Sequence, residues 1–159
     1  MIKSITSTKP AGVILYAEDE DNDVFFLEHA FKVAESSYTL SVVTDGQQAI
    51  DYLAGEGPFA DRKRHPLPAL VLLDIMMPRK TGLEVLEWIR QQPQFKLLPV
   101  LMLTSSARPE DRDKARELGA DDYHLKPSSP LKLVDLVKLL HTSWLIPAPS
   151  RRAKILKKS

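Results

Sequence analysis

The sequence contains no cysteine, so neither disulfide bonds nor thiolate chemistry is available to it. It also lacks any apolar run near the roughly 18 residues that a membrane-spanning helix needs, and its polar first ten residues do not form the apolar segment of a secretion signal. These absences favour a cytoplasmic protein with no membrane contact. At 159 residues, with 43% hydrophobic and 27% charged residues, the chain is predicted to form one globular domain around one core.

Several catalytic and binding motifs are missing as well. The chain has no glycine-rich phosphate loop of the Walker or dinucleotide type, and no nucleophile elbow of the kind that hydrolases use. Histidine ligation of a metal is not expected either, because the four histidines have no common spacing; they are His29, His65, His124 and His141. The sequence therefore predicts neither a nucleotide-binding enzyme nor a histidine-based metal enzyme.

An EF-hand calcium loop is partly imitated near the N-terminus. Asp19, Asp21 and Asp23 have the spacing of its first three ligands. The sixth position, however, is Val24 where the loop needs glycine, and the twelfth is Ala30 where it needs glutamate. We interpret Asp21 and Asp23 instead as acids at a helix N-terminus, where the helix dipole favours them.

The net charge of +1 is unevenly distributed. Residues 151–159 hold five Lys or Arg and no acid, which leaves the remaining 150 residues at −4. A mildly acidic body with a basic end is unlike a nucleic-acid-binding domain, which spreads its basic residues over one face. We favour a solvated tail over a nucleic-acid contact, and divide the chain into an N-terminal tail (1–12), one domain (13–146) and a basic C-terminal tail (147–159).

Short apolar runs alternate with segments of helical period, the pattern of βα units in a doubly wound parallel sheet. Five strands are predicted, at 13–17, 39–43, 70–73, 100–103 and 122–125. A helix follows each strand: Pro93 stops the third, Pro109 and Gly119 bound the fourth, and Ser129 caps the fifth. An irregular segment, residues 55–68, separates the second helix from the third strand.

Polar side chains follow four of the predicted strands. Glu18 and Asp19 come after the first strand, Asp74 after the third, Thr104 after the fourth and Lys126 after the fifth. Because ligands bind at the carboxyl ends of the strands in an open parallel sheet, we expect these groups to converge there. Three acids would repel one another without a cation, and Mg²⁺ suits them because it prefers oxygen ligands and keeps water positions that a phosphate can occupy.

Each of these residues also has a purely structural interpretation. Asp74 could cap the turn that Pro78 enforces, and Lys126 could be an ordinary surface lysine. Thr104 could be present for its β-branch, and Tyr123 could be a half-buried aromatic at a sheet edge. Only the shared placement at strand ends favours a site over these alternatives.

Taken together, the motifs resemble the receiver domain of two-component response regulators, from Val13 to Leu140. The acidic pair matches, and so do Asp74-Ile75-Met76-Met77-Pro78, Thr81-Gly82, Leu103-Thr104-Ser105 and Leu125-Lys126-Pro127. The long 55–68 segment and the lack of an output domain resemble the single-domain regulators that partner bacterial and cyanobacterial phytochrome histidine kinases. The resemblance implies a flavodoxin-like α/β fold with a five-stranded doubly wound parallel sheet and five helices.

The resemblance also implies the chemistry of the site. Asp74 is expected to accept a phosphoryl group from a kinase phosphohistidine, so the protein would catalyse its own phosphorylation and dephosphorylation without being an enzyme on another substrate. Asp19 and Asp74 are expected to ligate Mg²⁺ directly, together with the backbone carbonyl of Met76, while Glu18 acts largely through water. Lys126 is expected to contact the phosphoryl oxygens.

Conformational switching is implied for two further residues. Thr104 is expected to donate its hydroxyl to the acyl phosphate, and Tyr123 to turn inward as the Thr104 loop closes. The Lys126-Pro127 peptide bond is expected to be cis. Receivers often dimerise through the fourth helix, fifth strand and fifth helix, and a homodimer is expected here because the fourth helix carries charges of mixed sign, at Asp111, Arg112, Asp113, Lys114, Arg116 and Glu117.

Two rival functions remain. A haloacid-dehalogenase-type phosphatase also uses an aspartyl nucleophile with Mg²⁺, but it needs a second acid two residues on, where this chain has Met76. A degenerate receiver could act as a phosphorylation-independent protein-binding module, and the complete set of site residues argues against it.

Overall fold

Strands and helices alternate along residues 11–145, the part of the chain that the computed structural model describes. The strands are β1 (Gly12–Ala17), β2 (Tyr38–Val43), β3 (Leu70–Leu73), β4 (Val100–Thr104) and β5 (Asp122–Leu125). The helices are α1 (Asp21–Val33), α2 (Gly46–Ala54), α3 (Gly82–Gln91), α4 (Pro109–Leu118) and α5 (Pro130–Ser143), with short 3-10 turns at Gly57–Phe59 and Pro93–Phe95. The predicted alternation of five strands and five helices is confirmed. β1 and β2 each begin one residue earlier than expected, and β4 ends one residue later, so Thr104 is its last residue. The basic tail and residues 1–10 lie outside the described residues.

All five strands are parallel and lie in the order β2-β1-β3-β4-β5. The chain first moves outward from β1 to β2, then crosses back to β3 on the other side of β1. A crevice opens at the carboxyl ends of β1 and β3, where the winding direction reverses. This is the doubly wound sheet that the sequence predicts, and it fixes where a site can form.

Two apolar layers cover the sheet. Ile14 and Tyr16 point to the face packed by α1 and α5, whereas Leu15 and Ala17 point to the face packed by α2, α3 and α4. Successive side chains of a strand point to opposite faces, so β1 supplies both layers. The fully buried β3 likewise reads as a continuous apolar run, as expected for a central parallel strand.

The predicted helix boundaries have identifiable causes. Ser129 caps α5 by accepting from the Lys132 N–H at 3.2 Å, and Gly119 ends α4 in the left-handed conformation with φ of 101°. A capping box begins α3, in which Thr81 and Glu84 each accept from the other's backbone N–H. These caps confirm the predicted ends of α4 and the start of α5.

The 55–68 segment is held against the end of α2. Arg62 donates to the carbonyls of Tyr52 and Leu53, both at 2.7 Å, and of His65 at 3.1 Å. The Tyr52 hydroxyl donates to the Pro66 carbonyl at 2.8 Å. One guanidinium therefore donates to two carbonyls in the last turn of α2, where a helix has few N–H partners for its carbonyls. Over residues 11–145, none of the helices combines the length and apolarity that crossing a membrane requires.

Candidate functional site

Buried polar side chains collect at one edge of the sheet. Among residues 11–145, four polar or charged residues are buried: Glu18, Asp45, Asp74 and Thr104. They follow or end β1, β2, β3 and β4, respectively. A buried charge is costly unless it is paired or bound to a metal, so this edge is where a functional site is expected.

Three carboxylates meet at the end of β1 and β3. The Asp74 N–H donates to the Ala17 carbonyl at 3.1 Å, which sets the ends of the two strands side by side. One carboxylate oxygen from each of Glu18, Asp19 and Asp74 lies within 4.8 Å of the others, with Glu18 and Asp74 buried and Asp19 exposed. The predicted acidic cluster is therefore present, and its mutual repulsion favours a bound cation.

These residues fit a divalent cation. Asp74 Oδ1 is buried and has no hydrogen-bond partner among the described residues, whereas Oδ2 accepts from Lys126. A buried carboxylate oxygen without a donor is unfavourable, and oxygen atoms of this kind are what hard cations bind. Met76 lies in the loop after β3 with its side chain exposed, which leaves its predicted role to the backbone carbonyl.

Lys126 lies at the centre of the acids. Its Nζ is 2.7 Å from Glu18 Oε1, 2.7 Å from Asp23 Oδ2 and 2.8 Å from Asp74 Oδ2. Burial alone would lower the pKa of Lys126, but the hydrogen bonds to these carboxylates outweigh it and raise the pKa above its ordinary value. The ammonium is therefore charged at neutral pH, and the surface-lysine interpretation is wrong because the side chain is mostly buried.

Asp23 belongs to this site, although sequence reasoning assigned it only to the dipole of the first helix. It lies in the first turn of α1, and the loop from β1 brings that turn to the same edge as Lys126. The signal that could have found it is the position of this turn directly after a strand that ends in two acids. An acid in the first turn of α1 lies close to the residues that follow the other strands, such as Lys126 after β5.

Tyr16 also contacts the site. Its hydroxyl donates to Glu18 Oε1 at 3.2 Å, and the Glu20 N–H donates to Glu18 Oε2 at 3.1 Å. Burial raises the pKa of Glu18, and the Lys126 hydrogen bond and the Glu20 N–H oppose this shift. Burial, together with the Glu18 charge, also raises the pKa of Tyr16. Both oxygens of Glu18 already accept from protein donors, which favours an indirect contact with a metal over a direct one.

Thr104 and Tyr123 both contact Ser106 in the loop after β4. The buried Thr104 accepts from the Ser106 N–H at 3.3 Å, and the Tyr123 hydroxyl donates to the Ser106 carbonyl at 2.8 Å. The Arg112 guanidinium lies over the Tyr123 ring, 4.6 Å from its centroid. Tyr123 is buried in this structure rather than half-buried, although it lies on β5 at the edge of the sheet. Its inward turn as the Thr104 loop closes stays a prediction.

The peptide bond between Lys126 and Pro127 is trans, so the expectation of a cis bond is wrong. That expectation came from the resemblance alone. Trans is the form that an X-Pro bond favours, by about 0.5–1 kcal/mol.

Comparison with known proteins shows which family this chain resembles. Residues 14–138 match the family described as the response regulator receiver domain. Response regulator Rcp1 of Synechocystis is 32% identical over 87% of this chain and 92% of its own length, and the crystal structure of its Mn²⁺-bound form superposes with a TM-score of 0.75 over 86% of this chain and 99% of that one. The phosphorylated cyanobacterial phytochrome response regulator RcpA is 30% identical, with a TM-score of 0.76 over 84% of this chain and 94% of that one.

Proposed function

The chain belongs to the response regulator receiver domain family, and from this membership we propose that its Asp74 accepts a phosphoryl group from a histidine kinase. The observation that carries this assignment is the environment of the Asp74 carboxylate. One of its oxygens contacts the Lys126 ammonium at 2.8 Å, and the other is buried beside two further acids and has no donor within residues 11–145. A nucleophile is thereby placed next to a positive charge and a cation site.

The chemistry needs mainly positioning and neutralisation of charge. A carboxylate oxygen of Asp74 attacks the phosphorus, the bond to the kinase histidine nitrogen breaks with its electron pair going to that nitrogen, and an acyl phosphate forms. Lys126 stabilises the charge on the phosphoryl oxygens. We propose that Asp19, Asp74 and the Met76 carbonyl hold Mg²⁺ directly and Glu18 holds it through water; the ion, when bound, supplies the remaining charge neutralisation.

A phosphoryl group at Asp74 would change the loop after β4. It adds roughly one negative charge and several acceptor oxygens, to which the Thr104 hydroxyl can donate. Thr104 accepts from Ser106 in this structure, and Ser106 in turn accepts from Tyr123. We propose that phosphorylation shifts the population of this Thr104-Ser106-Tyr123 unit, and through it the surface of α4, β5 and α5 that is predicted to form a homodimer.

An apolar groove of about 400 Å³ borders the site and suits the kinase. It lies between α1 and the loop before α5, and the exposed Phe25 and Phe26 line it together with Lys126 and Pro127. A kinase that brings its phosphohistidine to Asp74 must cover the surface next to Lys126, and this surface is apolar enough to bind it. The similarity to the phytochrome response regulator RcpA supports a phytochrome histidine kinase as partner. A cytoplasmic location stays a prediction.

Phosphate transfer from acetyl phosphate or a phosphorylated kinase tests the assignment. Wild type should take a hydroxylamine-labile label, as an acyl phosphate does, and Asp74→Asn should take none. Asp45→Asn is a matched control, because Asp45 is also a buried acid after a strand but caps α2 through the Gln48 N–H. Labelling of Asp74→Asn at the wild-type level would reject Asp74 as the acceptor.

A further inference from the structure

We propose that Asp23 is a positioning residue that competes with the incoming phosphoryl group for the Lys126 ammonium and thereby slows phosphoryl acceptance. The inference rests on the proposed function of Asp74. It concerns an acid that lies beyond the three-carboxylate cluster and whose contact with Lys126 spans 103 positions of sequence.

The hydrogen-bonding capacity of the ammonium limits what Lys126 can do. A lysine ammonium has three donors and no acceptor. Three carboxylate oxygens already lie at 2.7 to 2.8 Å from Nζ, one each from Glu18, Asp23 and Asp74. A phosphoryl oxygen can therefore gain a hydrogen bond from Lys126 only if one of these carboxylates gives up its own.

Solvent exposure decides which carboxylate loses its hydrogen bond to the Lys126 ammonium. The side chain of Glu18 is 0% exposed and that of Asp74 is 6% exposed, whereas that of Asp23 is 37% exposed. A buried carboxylate that loses its partner cannot be rehydrated, while Asp23 can exchange the ammonium for water at little cost. Asp23 is therefore the partner that Lys126 releases.

Charge gives Asp23 two opposite effects. Lys126 contacts Glu18, Asp23 and Asp74, and Asp19 lies beside two of these acids, so the site holds four carboxylates and one ammonium. This excess of negative charge repels an anionic phosphodonor while attracting a divalent cation. Removing the Asp23 charge should therefore speed phosphoryl acceptance and weaken metal binding. A residue that only supports the fold would not move these two quantities in opposite directions.

The test compares Asp23→Asn with Asp21→Asn, which removes an equal charge from the same helix turn at an exposed position. At saturating Mg²⁺, Asp23→Asn should take label from acetyl phosphate about two- to fivefold faster than wild type, as expected for one exposed ion pair. Calorimetry should show Mg²⁺ binding weaker by a similar factor. Asp21→Asn should change both quantities less, and the charge-conserving Asp23→Glu should stay near wild type. Added salt should shrink the rate difference, because it screens exposed charges.

Two results would overturn the inference. One is Asp23→Asn labelling no faster than Asp21→Asn, and the other is Asp23→Asn labelling more slowly than wild type while its thermal unfolding is unchanged. Failure of wild type to take label would instead reject Asp74 as the acceptor. In that case the Mg²⁺ affinities still decide the role of Asp23, since equal values for the two Asn variants would remove its charge from the site.

Discussion

The carboxylates of the site differ in how far protein donors already satisfy them, and this difference assigns their roles. Glu18 accepts on both oxygens from Tyr16, Lys126 and the Glu20 N–H. In the described part of the chain, Asp74 accepts on one oxygen only, and Asp19 is exposed. Asp19 and Asp74 are therefore the acids that can bind a metal directly, and Glu18 is the acid whose oxygens already have protein donors.

Magnesium binding tests this division at Asp19. Asp19→Asn replaces a charged oxygen ligand with a neutral amide and should weaken Mg²⁺ binding by at least about tenfold, since even residues that only support a metal's ligands typically contribute that much. Isothermal titration calorimetry on the unphosphorylated protein measures the affinity directly. Asp21→Asn, at the first residue of α1, should bind nearly as well as wild type. Equal affinities of wild type and Asp19→Asn would remove Asp19 from the metal site.

Sequence reasoning found residues that lie at strand ends and missed those that reach the site from elsewhere. Asp74 and Lys126 could be placed because a parallel sheet brings strand ends together whatever the details of packing. Tyr16 could not, because an apolar run contains aromatic residues for packing alone, and its hydrogen bond to Glu18 depends on side-chain geometry. Asp23 likewise depends on how α1 leaves β1.

Arg90 connects three elements on the face of the sheet that α2, α3 and α4 cover. From α3 it donates to the carbonyls of Phe95 at 3.1 Å and Leu98 at 3.0 Å, in the segment before β4. It also donates to the Gly119 carbonyl at the end of α4 and to Asp121 Oδ2, both at 2.9 Å. Asp121 accepts from the Val100 N–H as well, so one side chain fixes how β4 and β5 begin.

Replacing Arg90 should therefore destabilise the fold. Arg90→Ala removes a donor from the carbonyls of Phe95, Leu98 and Gly119, and it leaves Asp121 Oδ2 with only the Val100 N–H as a donor among the described residues. We expect the free energy of unfolding to fall by about 2–3 kcal/mol. Arg116→Ala is a control, because Arg116 is exposed and lies 3.8 Å from Asp113, a geometry that contributes under about 1 kcal/mol. Urea unfolding of both variants provides the comparison. Equal losses would show that the Arg90 contacts contribute no more than a surface pair.

The ends of helices could be predicted from local sequence, but the conformation of the 55–68 segment could not. Pro109 and Gly119 predicted both ends of α4 because their backbone preferences act within a few residues. The 55–68 segment was predicted only as irregular. Its order comes from Arg62 contacts with carbonyls up to ten residues away, which no local pattern encodes.

At the scale of the whole molecule, Tyr123 connects the site to the face of the protein that α4 and β5 form. β5 is an edge strand, and α4 packs beside it. Tyr123 on β5 links inward to Ser106 and outward to Arg112 of α4, while Leu125 at the end of β5 is exposed. Of the charges predicted on α4, Asp111 is half-buried and the others are exposed. Two pairs form within the helix, at Lys114–Glu117 (2.9 Å) and Asp113–Arg116 (3.8 Å).

Such a face can pair with its two-fold copy, because exposed intrahelical pairs are weak and readily exchange for contacts between chains. A phosphoryl mimic such as beryllofluoride, bound at Asp74 with Mg²⁺, should tighten a homodimer by about 5- to 150-fold, the usual range for coupling between two sites. Raising the salt concentration should weaken the dimer. Sedimentation with and without the mimic, at low and high salt, measures both effects, and Asp74→Asn should not respond to the mimic. A monomer under every condition would contradict the dimer and leave binding of a different protein to this face as the output of the switch.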